Sequence, residues 1–88
     1  MATYGSTIAA KNFFYADGRI SNHAGLFSDE IRWIAKSNPE AEVTVERFYS
    51  GSGPDVKCSW HLSLDPDVAK AAGISGGFEV KGVYRIVR

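Results

Sequence analysis

Hydrophobic and polar positions alternate with a period of two along three stretches of the chain. Between Val56 and Leu64, the residues Val56, Cys58, Trp60, Leu62 and Leu64 fall on one face, and Lys57, Ser59, His61 and Ser63 on the other. That is the pattern of a strand buried on one side. Ala41, Val43 and Val45 against Glu42, Thr44 and Glu46 predict a second strand over 41–49. Its alternation breaks at Arg47-Phe48-Tyr49, where a bulge or a functional edge is expected. Gly51-Ser52-Gly53-Pro54-Asp55 has loop composition and lies between the two, so they are expected to pair as an antiparallel hairpin. From Phe78 to Val87, Phe78, Val80, Tyr84 and Ile86 oppose Glu79, Lys81 and Arg85, with Val83 and Val87 on the polar side, which predicts one last strand.

The period changes around Leu26 to Asn38, where Phe27, Ile31, Ile34 and Ala35 form a stripe at helical spacing. Ser28 followed by Asp29 and Glu30 marks the start, because first-turn carboxylates complement the helix dipole, and Pro39 ends the helix near Asn38. Leu26 and Trp33, seven apart, are expected on roughly the opposite side of this helix. A two-layer domain buries only one such stripe, so the second is a candidate contact surface. Thr7 to Ala16, closed by Asp17-Gly18, reads as a first strand of ambiguous facing. Asp65-Pro66-Asp67 opens a short helical segment from Val68 to Ala72 that Gly73 closes. The expected fold is α+β with the order β-α-β-β-(short α)-β: an antiparallel sheet of about four strands packed on one main helix, all within a single domain spanning 1–88.

Composition narrows the function classes. With 88 residues, 44% of them hydrophobic and 12% aromatic, the chain can close one core without staples. Ten Lys+Arg balance ten Asp+Glu, so no global field draws in nucleic acid or an anionic membrane. No apolar run reaches the length of a membrane span, and the first ten residues lack a signal-peptide pattern, from which a cytoplasmic location is expected. The single cysteine, Cys58, lies on the apolar face of the best strand and is expected to pack in the core.

Two local patterns resemble nucleic-acid modules. The element order is shared with ferredoxin-like folds, including RNA-recognition motifs, whose third strand carries a basic residue and alternating aromatics that stack on bases. Here Lys57-Cys58-Ser59-Trp60-His61-Leu62-Ser63-Leu64 offers a single aromatic, on the presumed core face, so the stacking platform is missing. Asp67-Val68-Ala69-Lys70-Ala71-Ala72-Gly73-Ile74-Ser75 resembles the first helix and turn of the helix-turn-helix in lactose-repressor-type regulators. The resemblance implies a recognition helix next, but Gly76-Gly77-Phe78-Glu79-Val80 is strand-like. Lys57, Lys81, Arg85 and Arg88 would make a cationic strand face if the fold grouped them, with Arg47 nearby on the hairpin.

No constellation names a reaction. His23, His61, Cys58 and the carboxylates are the candidates. Cys58 and His61, three apart on a strand, point to opposite faces and cannot share a metal. Asp65 and Asp67 fit turn and cap roles, and Gly51-Ser52-Gly53 lacks the residues of a phosphate loop. A small nuclease or hydrolase centred on His61 with Arg47 or Tyr49 is the enzymatic arrangement to consider. The expectation is therefore a non-enzymatic interaction protein with no metal or cofactor, of the kind exemplified by phage-encoded inhibitors of a host defence complex or enzyme. It would occlude a protein partner, or pair as a homodimer, through Leu26, Trp33, Arg47, Phe48 and Tyr49. A nucleic-acid-binding or transcription-regulatory module is the alternative.

Overall fold

The computed structural model describes residues 2–88, without the side chains of residues 2–4, 6 and 23. In chain order the elements are β1 (Ala2–Ala9), α1 (Ser28–Ser37), β2 (Glu42–Ser50), β3 (Lys57–Leu64), α2 (Pro66–Ala71), β4 (Phe78–Val80) and β5 (Val83–Val87). Short 3-10 turns occupy Ala10–Phe13, Asn22–Phe27 and Gly53–Asp55. The strands form one five-stranded sheet in the order β1-β2-β3-β5-β4, every neighbouring pair antiparallel. The expected α+β architecture and the β2–β3 hairpin are both present.

Side-chain alternation explains why the helices lie on one face. Val43 and Val45 of β2, Leu62 and Leu64 of β3 and Ile86 of β5 are buried on a common face. Against them pack Phe27, Ile31 and Ile34 of the α1 stripe, Ala10 and Phe13 from the first 3-10 turn, and Ala69 and Ile74 from the α2 region. Asp65 caps α2 by accepting the Asp67 N–H at 2.8 Å, and Pro66 at the first helical position has no N–H that needs an acceptor. Gly73 then turns the chain out of the helix with a positive φ of 73°.

The structure corrects four sequence expectations. The first strand is Ala2–Ala9, not Thr7–Ala16. Its chain leaves the sheet at Ala10 because Ala10 and Phe13 are buried from a 3-10 turn, which donates the Ala10 N–H to Ala41 O at 2.8 Å. No bulge interrupts β2 at 47–49, where Arg47, Phe48 and Tyr49 pair in continuous register with Trp60, Ser59 and Cys58. The expected last strand is two strands. Lys81 and Gly82, with φ of 53° and 79°, make a two-residue hairpin turn that sets Val80 opposite Val83, so the sheet has five strands. As a result Phe78 and Val80 share the outer face with Val83 and Arg85, and Phe78 is exposed. Finally, Cys58 is exposed, because it lies on the helix-side face but near the loop end of the hairpin, beyond the buried positions of β3.

Candidate functional site

The sheet has two unlike surfaces. On the helix side, Leu26 and Trp33 are 50% and 47% exposed, so the second helical stripe is open to solvent. At about 100° per residue, Trp33 lies about 100–160° around the helix from the stripe of Phe27, Ile31, Ile34 and Ala35, on the flank that also carries Glu30, and Leu26 precedes the helix in the 3-10 turn. Glu30 is buried there because Arg88, just beyond β5, pairs with its carboxylate, and the same guanidinium donates to Leu26 O and sits 5.4 Å from the Phe27 ring centroid. Arg88 also exchanges both backbone hydrogen bonds with Trp60.

From Trp60 the surface continues along the uncovered end of the hairpin. The Arg47 guanidinium lies 5.0 Å from the Trp60 ring and 4.9 Å from the Tyr49 ring, so one cation contacts two aromatic faces. Leu26, Arg88, Trp60, Arg47 and Tyr49 are thus linked by successive contacts across the helix flank and the sheet. The sequence singles out Leu26, Trp33, Arg47 and Tyr49 but not Trp60; as its alternation predicts, Trp60 packs against the core, but it is only partly buried and its ring also meets Arg47. Phe48 does not belong to this surface. Alternation turns it to the far side of the sheet, where its ring centroid is 4.4 Å from that of His61.

That far side is uncovered. Registered across four strands, Thr7, Thr44, Ser63 and Arg85 form one row, flanked by Glu46 and His61 on one side and by Glu42, Asp65 and Val83 on the other. All of these except His61 line a shallow depression of about 430 Å³. Thr7 and Thr44 share a hydrogen bond of 2.9 Å between their hydroxyls. The Oγ of Ser63 is buried with no partner, as are Nδ1 of His61 and Nε of Arg85. His61 Nε2 is 3.3 Å from Ser59 Oγ. Burial and, after it, the Arg85 charge lower the His61 pKa from the usual imidazole value, while Glu46 acts in the opposite direction.

The cationic face expected from Lys57, Lys81, Arg85 and Arg88 does not assemble. Lys57 begins β3, six residues along the strand from Ser63, the partner of Arg85, or about 20 Å. Lys81 occupies the β4–β5 turn, and Arg88 faces the helix side. No helix follows Gly73 to serve as a recognition helix; the chain passes into β4. His61 shares no face with Arg47 or Tyr49, so the hydrolase arrangement is not formed either. The His23 side chain lies outside the described residues. Among the described residues no three His, Cys, Asp or Glu side chains converge as metal ligands, and no helix is long and apolar enough to cross a membrane. No protein family, curated protein or solved structure matches the chain.

Proposed function

We propose that this protein is a non-enzymatic binding module that occludes or bridges a protein partner through the helix-side surface of Leu26, Trp33, Arg47, Tyr49 and Trp60. The observation that carries the reading is the linked path from the exposed α1 flank through Arg88 to the Arg47–Tyr49–Trp60 cluster. Tryptophan, tyrosine and arginine are the residue types that dominate binding energy at protein interfaces, since each brings large contact area with a polar tip. Inhibition of a host enzyme or defence complex by covering its surface, as phage-encoded proteins do, is one form such binding takes.

The test is a quantitative capture experiment on cell extract with the wild type, Trp33→Ala, Arg47→Ala and His61→Ala, after nuclease treatment. The expected result is one partner held by the wild type and by His61→Ala and released by the two helix-side variants, with circular dichroism showing all four folded. Equal retention by Trp33→Ala and Arg47→Ala, or loss of capture on nuclease treatment, refutes the reading. Light scattering on the same proteins supplies a second check: a wild-type dimer that Trp33→Ala converts to a monomer assigns the surface to a second copy of this chain instead.

A further inference from the structure

The open face of the sheet carries a separate inference, independent of the helix-side surface. We propose that the depression lined by Thr44, Ser63, Glu42, Glu46, Asp65 and Arg85 binds a cationic nitrogen, an ammonium or guanidinium group. Its carrier is either a free polyamine or a lysine or arginine side chain of a peptide.

Three observations converge. The charge of the depression is set by three carboxylates, Glu42, Glu46 and Asp65, against one guanidinium, Arg85, in a protein that is neutral as a whole. An anionic ligand meets net repulsion there, and a cation net attraction. The floor is a row of hydroxyls that offers acceptors. Thr7 and Thr44 bond one another, and Ser63, only 8% exposed, has an Oγ with no protein partner. A buried hydroxyl without a partner is unfavourable, and an N–H donor entering the depression relieves it. The carboxylates also flank the row of hydroxyls. Arg85 pairs with Ser63 in the β3–β5 register and so stands at the β5 end of the hydroxyl row, its Nε buried without a partner. Extending the β2–β3 register by two residues sets Glu42 across from Asp65 on the side away from Glu46, beside uncharged Gly82 and Val83. Asp65 accepts the Asp67 N–H with one oxygen, which holds its carboxylate in place. The cation therefore sits between Glu42 and Asp65, over Thr44 and Ser63, with Arg85 beside Ser63 on β5.

This arrangement makes a prediction of opposite sign for two residues lining one depression. The experiment is an NMR titration of the full-length protein with spermidine and, separately, with a short acetylated and amidated peptide containing one lysine. The variants are Glu42→Gln, Ser63→Ala and Arg85→Gln, each first shown to be folded by its amide spectrum. Saturable shifts are expected at the amides of Thr44, Ser63 and Asp65. Glu42→Gln should weaken binding about two- to fivefold, the range for an exposed charge pair. Ser63→Ala should weaken it too, whereas Arg85→Gln should tighten it by removing the one like charge. Stronger binding of the peptide assigns the site to a partner's side chain, and stronger binding of spermidine to a free polyamine. Shifts that stay linear with concentration or spread over the whole surface overturn the proposal. So does weakened binding in Arg85→Gln, which would mark a site for an anionic group.

Discussion

Arg88→Ala tests the link that joins the helix flank to the sheet. Arg88 does three things at once: it pairs with the Glu30 carboxylate, donates to Leu26 O and covers the Phe27 ring. Its backbone pairing with Trp60 does not depend on the side chain. Truncation leaves a carboxylate whose side chain is 6% exposed, with its second oxygen already unpartnered. Removing one member of a fully buried pair costs about 3–5 kcal/mol. Arg88 itself is 44% exposed, so water reaches the vacated space and the cost falls to about half, or roughly 1.5–2.5 kcal/mol. For a domain of this size each kcal/mol lowers Tm by about 4–8 °C, so the expected drop is about 6–20 °C. Urea unfolding followed by circular dichroism measures the free energy directly. The double variant Glu30→Gln with Arg88→Ala should recover about 1 kcal/mol relative to the sum of the single changes, because the stranded charge is gone. A loss of less than about 0.5 kcal/mol for Arg88→Ala, or strict additivity in the double variant, would refute the claim that Arg88 is what allows Glu30 to be buried.

Three further outcomes are expected. Because the folded-state pKa of His61 is lowered, the unfolded chain binds more protons than the folded one as pH falls below about 6.5, so this residue's contribution to stability is present at neutral pH and is lost on acidification. An NMR titration should place the His61 midpoint below the usual value, raised by Arg85→Gln and lowered further by Glu46→Gln; a midpoint that ignores both substitutions would be inconsistent with the charge arrangement. Cys58 should react with a thiol reagent in the folded protein nearly as fast as in urea, given its exposure, and strong protection would place it back in the core. At the β4–β5 turn, Gly82→Ala should destabilise by about 1 kcal/mol, while Lys81→Gly should be neutral or stabilising by up to about 1 kcal/mol, since both positions have positive φ; thermal melts of the two variants decide this.

What the sequence makes legible follows from how each element is encoded. The α1 stripe and the β2–β3 hairpin could be read because burial on one side imposes a period, and Phe27, Ile31, Ile34, Val43, Val45 and Leu62 are all buried where the pattern puts them. Most of β1 has no such imprint. In Ala2–Ala9 only Ile8 is a large aliphatic residue, and the apolar residues nearby, Ala10 and Phe13, are buried from a 3-10 turn, so a strand drawn through them starts too late. The β4–β5 hairpin hides for a different reason. A two-residue turn in an antiparallel pair sets Val80 opposite Val83 and thereby switches the parity of the inward positions, and the one trace of it in the sequence is that Val83 and Val87 fall on the polar side of a strand drawn straight through. That switch, unseen, sends Phe78 and Val80 to the wrong face.

The same logic governs the two surfaces. Leu26 and Trp33 could be singled out because they violate a local pattern. Arg47 and Tyr49 could be noticed for the same reason, yet their separation from Phe48 required knowing that the strand continues without a bulge. The depression on the open face is harder still, since Thr7, Thr44, Ser63 and Arg85 come from four strands and meet only through three registers. The hairpin loop could have aligned Thr44 with Ser63, but nothing local aligns Thr7 or Arg85 with them. A slip of one residue in either outer register would turn that strand's side chains to the opposite face and leave the row incomplete. Binding at the depression is therefore a property of the sheet register, and substitutions that shift β1 or β5 should impair it while leaving the helix-side surface intact.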